Sequence, residues 1–315
     1  MSSFKDRVDP EVMATIPPGM DAMLGAIGPD SMGPIREASA AQSAMLREMI
    51  GPFQGREEKM MVPGLNGGPD VAVYYYEHED VEHGDAVMIW LHGGGYVLGE
   101  VQDFAVLRYT KLMKVISVDY RMAPEFRSPA AVEDVCAVIE WVVAQAEKLG
   151  IDPGKIIIGG ASAGSGLAAG ATLMNRERGG PALLYQLLIY PMLDDTHDTP
   201  SGHMDISKEF WNRDVSMVAW SMYAEEEGAS QYAAPARATD LSGLPPAYIM
   251  VGDMDMFRDE DIAYAQRLSA EGIAVDLVVV PGGPHGFDSF SPEAAISKRT
   301  AQHQMACLAD VLSKA

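Results

Sequence analysis

The sequence has few cysteines and few cations. Only two of its 315 residues are cysteines, Cys136 and Cys307, and neither lies at a metal-ligand or redox spacing. This excludes a disulfide framework and a cysteine-based metal site. Lysine and arginine number 23 against 45 aspartates and glutamates, which gives a net charge of −22. Because binding to nucleic acid or to an anionic membrane needs an excess of cations, we expect neither as a partner.

Long apolar runs are also missing. No stretch approaches the roughly 20 apolar residues that span a bilayer, so the sequence predicts no membrane-spanning helix. The first residues, MSSFKDRVDPEVM, lack the basic and apolar regions of a secretory signal, and we therefore expect a cytoplasmic protein. The chain has no internal repeat or low-complexity tract, and its 48% of apolar residues is typical of a globular protein.

The first 55 residues differ in composition from the rest. They are rich in Met, Gly and Pro, and the intervals 9–24 and 35–50 have apolar residues at helical spacing, which predicts two or three short helices. From Val71 onward, seven β-rich runs alternate with helical ones: VAVYYYE, AVMIWLH, VISVDY, KIIIGG, YQLLIYP, AYIMVG and DLVVVP. This alternation predicts an α/β fold, with a mostly parallel central sheet and helices on both faces.

The segment 194–238 interrupts this alternation. It contains an aromatic, helix-like run at 210–223 and the acidic run EEEG, although its aromatic residues fit ordinary helix packing equally well. Insertions between sheet elements, like helices at the N-terminus, are a common source of lids over the carboxyl edge of a sheet. We therefore expect N-terminal cap helices in residues 1–55 and a catalytic domain in 56–315, with a cap insertion at about 194–238.

One motif predicts a nucleophilic serine. Ser162 is the centre of the pentapeptide GASAG at 160–164, which lies between the apolar run at 156–158 and the helix-like run GLAAGATLM. The pentapeptide alone is a weak signal, but a strand, a tight turn and a helix in this order are the context in which such a serine acts as a nucleophile. The helix N-terminus also favours developing negative charge. The alternative is a glycine-rich helix entry without chemistry.

A second motif predicts an oxyanion-binding loop. His92 is followed by Gly93, Gly94 and Gly95, directly after the strand AVMIWL. Three glycines allow backbone N–H groups to approach a ligand closely. Together with the N–H of Ala163, they would stabilise a tetrahedral intermediate, and each such donor contributes roughly 3 to 4 kcal/mol where it has been tested. The alternative is a glycine turn that binds no ligand.

A nucleophilic serine also needs a base and an acid. His285 is the strongest candidate base because it lies in the loop PGGPHGF, directly beyond the strand DLVVVP. The acid should lie between serine and histidine in chain order, and the loop after AYIMVG offers Asp253, Asp255 and Asp259. Spacing alone does not choose among these three. We expect Asp259 or Glu260 to cap the helix that follows.

The sequence resembles the bacterial hormone-sensitive-lipase-like (family IV) esterases of the α/β-hydrolase superfamily over essentially its whole length. The shared motifs are HGGGYVLG at 92–99, DYRMAPE at 119–125, GASAG at 160–164, IYPMLD at 189–194, DMFRDE at 255–260 and HGF at 285–287. The resemblance implies an α/β-hydrolase fold with a helical cap. It also implies a serine carboxylesterase that uses neither a metal nor a cofactor.

The resemblance implies the roles of the reacting residues. Ser162 is the nucleophile, His285 is the general base, and Asp255 is the acid that orients the base. Asp253 is then the second choice for the acid.

The resemblance also implies the roles of the glycine loop. The oxyanion donors are Gly94, Gly95 and Ala163. Gly93 shapes the turn, and His92 fixes the loop in place.

Two further positions match the family's DYR-x-A-P-E pattern. Arg121 and Glu125 are expected to brace the loop below the site without touching the substrate. The chain departs from the family at Ala161, where Asp or Thr is common, and at Ser165, where Gly is frequent. The segment 103–114 is a few residues shorter than is usual, so a helix there is expected to be shortened or shifted.

The predicted activity is hydrolysis of short- to medium-chain carboxylic esters through an acyl-enzyme, with a small-molecule ester as the substrate. One alternative is a lactonase, amidase or deacetylase that uses the same residues. A second alternative is a non-catalytic ligand-binding protein with the same fold. Esterases of this family often dimerise through sheet-edge elements, so a homodimer that involves the last helix, 292–315, is a further expectation.

Overall fold

An eight-stranded sheet runs through the centre of the protein. The computed structural model describes residues 3–102 and 104–315. The strands are β1 (Gly55–Val62), β2 (Val71–His78), β3 (His83–Leu91), β4 (Met113–Asp119), β5 (Ile156–Ala161), β6 (Tyr185–Ile189), β7 (Ala247–Gly252) and β8 (Val275–Val280). Their order in the sheet is β1-β2-β4-β3-β5-β6-β7-β8. β2 is antiparallel to both of its neighbours, and all other pairs are parallel.

The strand predictions are confirmed, and with them the α/β fold class. Every residue of β5, β6 and β7 is buried, as expected for parallel strands that are covered on both faces. The strand β1 was not predicted from the sequence. Only Val62 of this edge strand is buried, so its sequence, GREEKMMV, has no alternation of apolar and polar residues to reveal it.

Helices cover both faces of the sheet. After the N-terminal region they are α5 (Ala130–Ala144), α6 (Ala146–Leu149), α7 (Ala163–Glu177), α8 (Arg213–Tyr223), α9 (Arg258–Ala270), α10 (Phe287–Phe290) and α11 (Ala295–Lys314). Along β3, Val87 and Ile89 belong to one core, which α5, α7 and α9 cover. Met88 and Trp90 belong to the opposite core, which α11 covers. The alternation of side chains along a strand thus feeds two separate cores.

Four helices precede the sheet: α1 (Phe4–Arg7), α2 (Pro10–Met13), α3 (Met20–Gly25) and α4 (Met32–Ile50). The two intervals at which helices were expected contain three of them, α2, α3 and α4, whereas α1 lies before these intervals and was not expected. The expectation of short helices is wrong for α4, which has 19 residues. Pro34 lies in the first turn of α4. Proline is tolerated there because the first N–H groups of a helix have no intrahelical partner. Residues 1 and 2 of the expected cap segment lie outside the described residues.

Two other regions bear on the site. Between β6 and β7 the chain leaves the sheet and forms α8 and a 3-10 helix, Pro235–Arg237. The segment that looked short in the sequence contains the 3-10 helix Phe104–Arg108, and its first residue, Asp103, lies outside the described residues. No helix in the described ranges is both long enough and apolar enough to cross a membrane.

Candidate active site

Ser162 lies on the turn that joins β5 to α7. Its φ of 56° and ψ of −121° place it in a strained region of the backbone map, and its N–H donates to the carbonyl oxygen of Ile189 at 2.9 Å. A Cβ at Gly164 would lie 2.1 Å from the carbonyl oxygen of Leu91, so the turn closes only with glycine at this position. The turn therefore presents the serine hydroxyl at the carboxyl end of the sheet.

The structure brings Ser162, His285 and Asp255 together. His285 Nε2 lies 2.8 Å from Ser162 Oγ, and His285 Nδ1 lies 2.7 Å from Asp255 Oδ2. Asp255 is fully buried, and its other oxygen accepts a hydrogen bond from the backbone N–H of Phe257 at 3.0 Å. Because a carboxylate only accepts hydrogen bonds, Nδ1 carries the imidazole proton and Nε2 is free to accept from the serine hydroxyl.

Aromatic rings fix the orientation of the imidazole. The ring of Tyr190 lies 4.8 Å from that of His285 at 65°, and the ring of Phe257 lies 5.0 Å away at 89°. Both are edge-on contacts, a favoured geometry for aromatic pairs. The side chain of His285 is only 9% exposed, so these rings and Asp255 leave it little freedom to rotate.

Asp253, the second choice for the acid, points elsewhere. Its Oδ1 accepts a hydrogen bond from the backbone N–H of Gly282 at 2.7 Å and thereby supports the loop that precedes His285. Asp259, the third candidate, forms an ion pair with Arg258 at 2.7 Å. Of the three aspartates that spacing left open, Asp255 is thus the one that contacts the imidazole.

The expectation that Asp259 or Glu260 caps α9 is wrong. The cap position is occupied by Phe257, and both acids lie inside the first turn, from which their side chains reach other segments. Asp259 accepts a hydrogen bond from the backbone N–H of Ser201 at 2.8 Å, and Glu260 accepts one from that of Leu193 at 2.8 Å. Burial holds the pKa of Glu260 well above its usual range. These acids connect α9 to the chain after β6.

The glycine loop lies beside Ser162. Gly94 and Gly95 have φ values of 116° and 61°, which residues other than glycine rarely adopt. A Cβ at Gly95 would also lie 2.4 Å from the ring of Trp211. Ala163 is the first residue of α7, so no carbonyl of its own helix can accept from its N–H. Gly93, Gly94, Gly95 and Ser162 line one cavity.

His92 holds the glycine loop from below. Its Nδ1 donates to the carbonyl oxygen of Gly93 at 2.8 Å, and its ring stacks on Tyr120 with 4.3 Å between the centroids. The Tyr120 hydroxyl donates to the carbonyl oxygen of His92 at 2.8 Å. Burial lowers the pKa of His92 to about 4, so this histidine is neutral at physiological pH.

Arg121 and Glu125 brace the segment that follows β4. Arg121 Nε donates to the buried carboxylate of Asp134 at 2.9 Å. Glu125 pairs through both of its oxygens with Arg36 Nη1, at 2.9 and 3.0 Å, and Arg36 Nε donates to the carbonyl oxygen of Val97 at 2.8 Å. Arg36 thus connects α4 to the segments 92–99 and 119–125, which contain the motifs HGGGYVLG and DYRMAPE. This role of Arg36 was not predicted, because the sequence around one arginine on a polar helix face does not indicate its partner.

The cavity above Ser162 has a volume of about 390 Å³. Its apolar walls come from three parts of the chain: Leu24 and Ile35 from the N-terminal helices, Leu98 from the glycine loop, and Trp211 from the segment between β6 and β7. In the described part of the chain, no group of three or more His, Cys, Asp and Glu side chains is arranged to hold a metal ion. The arrangement suits attack by a serine hydroxyl on a small, largely apolar substrate.

Comparisons with known proteins agree with this chemistry. Residues 88–289 match the model of a family described as alpha/beta hydrolase fold. The carboxylesterase NlhH of Mycobacterium tuberculosis is 34% identical over 238 residues, which cover 72% of this chain and 74% of that protein. The ethyl acetate hydrolase of Pseudomonas putida is 32% identical over 226 residues, which cover 69% of this chain and 70% of that protein.

A solved structure extends the match to nearly the whole chain. The structure of a bacterial heroin esterase aligns with a TM-score of 0.88 at 34% identity and covers 98% of both chains. The resemblance seen in the sequence motifs is therefore confirmed. The chain belongs to the α/β-hydrolase fold family and, within it, to the carboxylic ester hydrolases that resemble hormone-sensitive lipase.

Proposed function

We propose that this esterase hydrolyses short- to medium-chain carboxylic esters through an acyl-enzyme on Ser162. The observation that carries the proposal is the continuous hydrogen-bonded array from Ser162 Oγ through the His285 imidazole to Asp255, with distances of 2.8 and 2.7 Å. This array opens into an apolar cavity beside a glycine loop. Nucleophile, base and orienting acid are thus within hydrogen-bond reach before any substrate binds.

The reaction proceeds in two halves. Ser162 attacks the ester carbonyl while His285 Nε2 takes the hydroxyl proton, and Asp255 holds the imidazole tautomer and stabilises the imidazolium. The imidazolium then protonates the leaving alcohol, and the acyl group stays on the serine oxygen. In the second half, His285 takes a proton from a water molecule as the water oxygen attacks the acyl carbonyl. The imidazolium then returns this proton to Ser162 Oγ as the bond to the acyl group breaks and the carboxylic acid leaves.

Backbone N–H groups stabilise the oxyanion in both halves. Gly94, Gly95 and Ala163 are the proposed donors, and Gly93 shapes the turn that lets them approach. The neutral imidazole of His92 keeps this loop in place through Gly93, so the donors are oriented before the charge develops. Arg121 supports the site from outside the cavity and does not take part in the chemistry.

The cavity size favours small substrates. A volume of about 390 Å³, bounded by apolar side chains, suits a short or medium acyl chain rather than a long one. We propose that residues 1–55 and about 194–238 form a cap over the catalytic domain, because side chains from both segments line this cavity. The name of the relative from P. putida, ethyl acetate hydrolase, refers to a short ester.

Hydrolysis of a p-nitrophenyl ester series from two to sixteen carbons tests this function, with Ser162→Ala as the control. We expect turnover of the short members, a decline at long chains and no turnover by the variant. A wild type that is inert on the whole series would contradict the proposal. Lactones, amides and acetylated amines tested beside the esters would reveal a different preference of the same site. Binding of esters without turnover would instead indicate a ligand-binding protein.

We also propose a homodimer that forms through the edge strand β8. This strand is the last in the sheet order, and its Leu277 and Val279 are 38% and 37% exposed. An exposed apolar edge strand is a common site of association. Light scattering on the purified protein should give twice the 33.9 kDa chain mass, and Leu277→Lys should reduce it to the single-chain value. The cytoplasmic location expected from the sequence stays a prediction, which cell fractionation tests.

A further inference from the structure

One acidic side chain lies in the catalytic cavity without a role in the reaction. Glu100 directly follows the glycine motif and is partly buried. It lines the same cavity as Ser162 and His285. It also lines a larger, neighbouring cavity of about 1070 Å³, and the two cavities share Ser43 and Glu100. Glu100 therefore lies where a substrate larger than a simple acetate would extend from the reacting carbon.

The Glu100 carboxylate is not neutralised by any protein group in the described part of the chain. Among residues 3–102 and 104–315, no group donates a hydrogen bond to it or forms an ion pair with it. The two arginines of the neighbouring cavity are already paired, Arg47 with Glu57 at 2.8 Å and Arg108 with Asp288 at 3.1 Å. Lys111 also lines that cavity but forms no ion pair with Glu100. Burial raises the pKa of Glu100, and so does the negative charge of Asp119. A cation bound beside Glu100 would offset both effects.

The remaining surface of the catalytic cavity suits the apolar part of an organic cation. Glu100 is the one carboxylate among the described residues that line it, and Leu98 and Trp211 provide apolar and aromatic walls. Aromatic faces and carboxylates are the groups that hold alkylammonium ions in proteins. The net charge of −22 raises the concentration of cations near the protein and lowers that of anions.

We propose that Glu100 is a specificity-determining residue that binds the ammonium group of cationic ester substrates. The inference rests on the proposed esterase function and adds a substrate class to it. The ammonium group contacts Glu100 equally before and during attack by Ser162. The preference should therefore lie in KM, with kcat little changed.

Matched pairs of substrates test this inference. Acetylcholine and its carbon isostere, 3,3-dimethylbutyl acetate, differ only in a charged nitrogen on the alcohol side. The p-nitrophenyl esters of 4-(trimethylammonio)butanoate and 5,5-dimethylhexanoate differ in the same way on the acyl side. For at least one pair, wild type should have a higher kcat/KM for the cationic ester than for its neutral isostere. Glu100→Gln should lower the ratio of these two kcat/KM values by about fivefold, as expected for one partly exposed ion pair. The pair that responds shows which side of the ester faces Glu100.

Glu271→Gln is the matched control. Glu271 is exposed at the C-terminal end of α9, so this variant makes the same change in net charge on the surface, and it should keep the wild-type ratio. Raising NaCl from about 0.02 to 1 M should lower the preference of wild type for the cation, because salt screens the ion pair. This measurement does not depend on how well the Glu100 variant folds.

The outcomes separate this inference from the proposed function. If wild type hydrolyses the neutral esters but shows no preference for a cation, Glu100 has no such role and the esterase proposal stands. The same holds if the preference is unaffected by salt or by Glu100→Gln. If neither the neutral nor the cationic esters are hydrolysed, the proposed function is wrong and the inference is wrong with it.

Discussion

Replacing Asp255 by asparagine should remove nearly all activity while leaving the fold intact. The two oxygens of Asp255 accept from two different donors, His285 Nδ1 at 2.7 Å and the backbone N–H of Phe257 at 3.0 Å. An amide offers one oxygen, so one donor must face the NH2 group instead. If the oxygen stays on the backbone N–H, the NH2 group faces Nδ1 and forces the proton of the imidazole onto Nε2. A protonated Nε2 cannot accept the proton of Ser162.

The size of this effect follows from the wrong tautomer. The equivalent change in serine proteases, with the geometry intact, lowers kcat by about 10,000-fold. That factor corresponds to about 5 kcal/mol of lost transition-state stabilisation. Because Asp255 is fully buried, solvent cannot supply a substitute acceptor for Nδ1.

The assay is kcat/KM for p-nitrophenyl butanoate, with Asp253→Asn as the matched control. Asp253 is two residues away and accepts from the Gly282 N–H at 2.7 Å, a bond that an asparagine oxygen can keep. We expect this control to stay within about fivefold of wild type. Circular dichroism and thermal unfolding should show both variants folded.

Two results would exclude this role of Asp255. Retention of more than a tenth of wild-type activity by Asp255→Asn would mean that the tautomer is not held by this residue. An equal loss in the two variants would mean that both aspartates act through the stability of their shared loop.

Three further predictions concern the surroundings of the site. Gly95→Ala should lower kcat by about 100-fold or more, because a Cβ 2.4 Å from the ring of Trp211 must displace the loop and its oxyanion donors; an unchanged kcat in steady-state assays would show that the loop accepts the Cβ without moving these donors. Arg36→Met should raise KM and speed hydrogen exchange in α4, because it removes the ion pair with Glu125; wild-type exchange rates would show that this pair does not anchor the helix. The folded-state pKa of His92, about 4, lies below the free value of 6.5, so the unfolded state takes up the proton first as pH falls. Between pH 7 and pH 5, denaturant titrations should therefore show wild type losing about 2 kcal/mol more unfolding free energy than His92→Asn, and parallel losses would contradict the burial argument.

The central sheet could be predicted because each buried strand is determined by the residues of its own segment. Buried parallel strands need continuous apolar runs, and the segments at 156–161, 185–189 and 247–252 consist of them. The edge strand at 55–62 is exposed along nearly all its length, and no apolar pattern is required there. The 19-residue helix at 32–50 was expected to be shorter, because a proline that breaks a helix interior is accepted in its first turn.

Only those residues of the site that lie in short sequence motifs could be predicted. The serine and histidine motifs predicted Ser162 and His285, whose side chains the structure places 2.8 Å apart, but spacing left three aspartates open. The choice of Asp255 by resemblance agrees with the contact that the folded loop makes. Arg36 and Glu100 were missed because their importance lies in residues far away in sequence. The ion pair of Arg36 with Glu125 spans 89 positions, and the location of Glu100 depends on how α4 lies over the glycine loop.

Covalent labelling shows whether Ser162 is the nucleophile that His285 activates. A p-nitrophenyl alkylphosphonate reacts irreversibly with such a serine and releases nitrophenol. We expect one phosphonyl group per chain, located on the peptide that contains Ser162 by mass spectrometry, with loss of esterase activity in proportion to labelling. A protein that still hydrolyses esters while Ser162 stays unlabelled, or that is labelled at another residue as activity falls, would show that Ser162 is not the nucleophile.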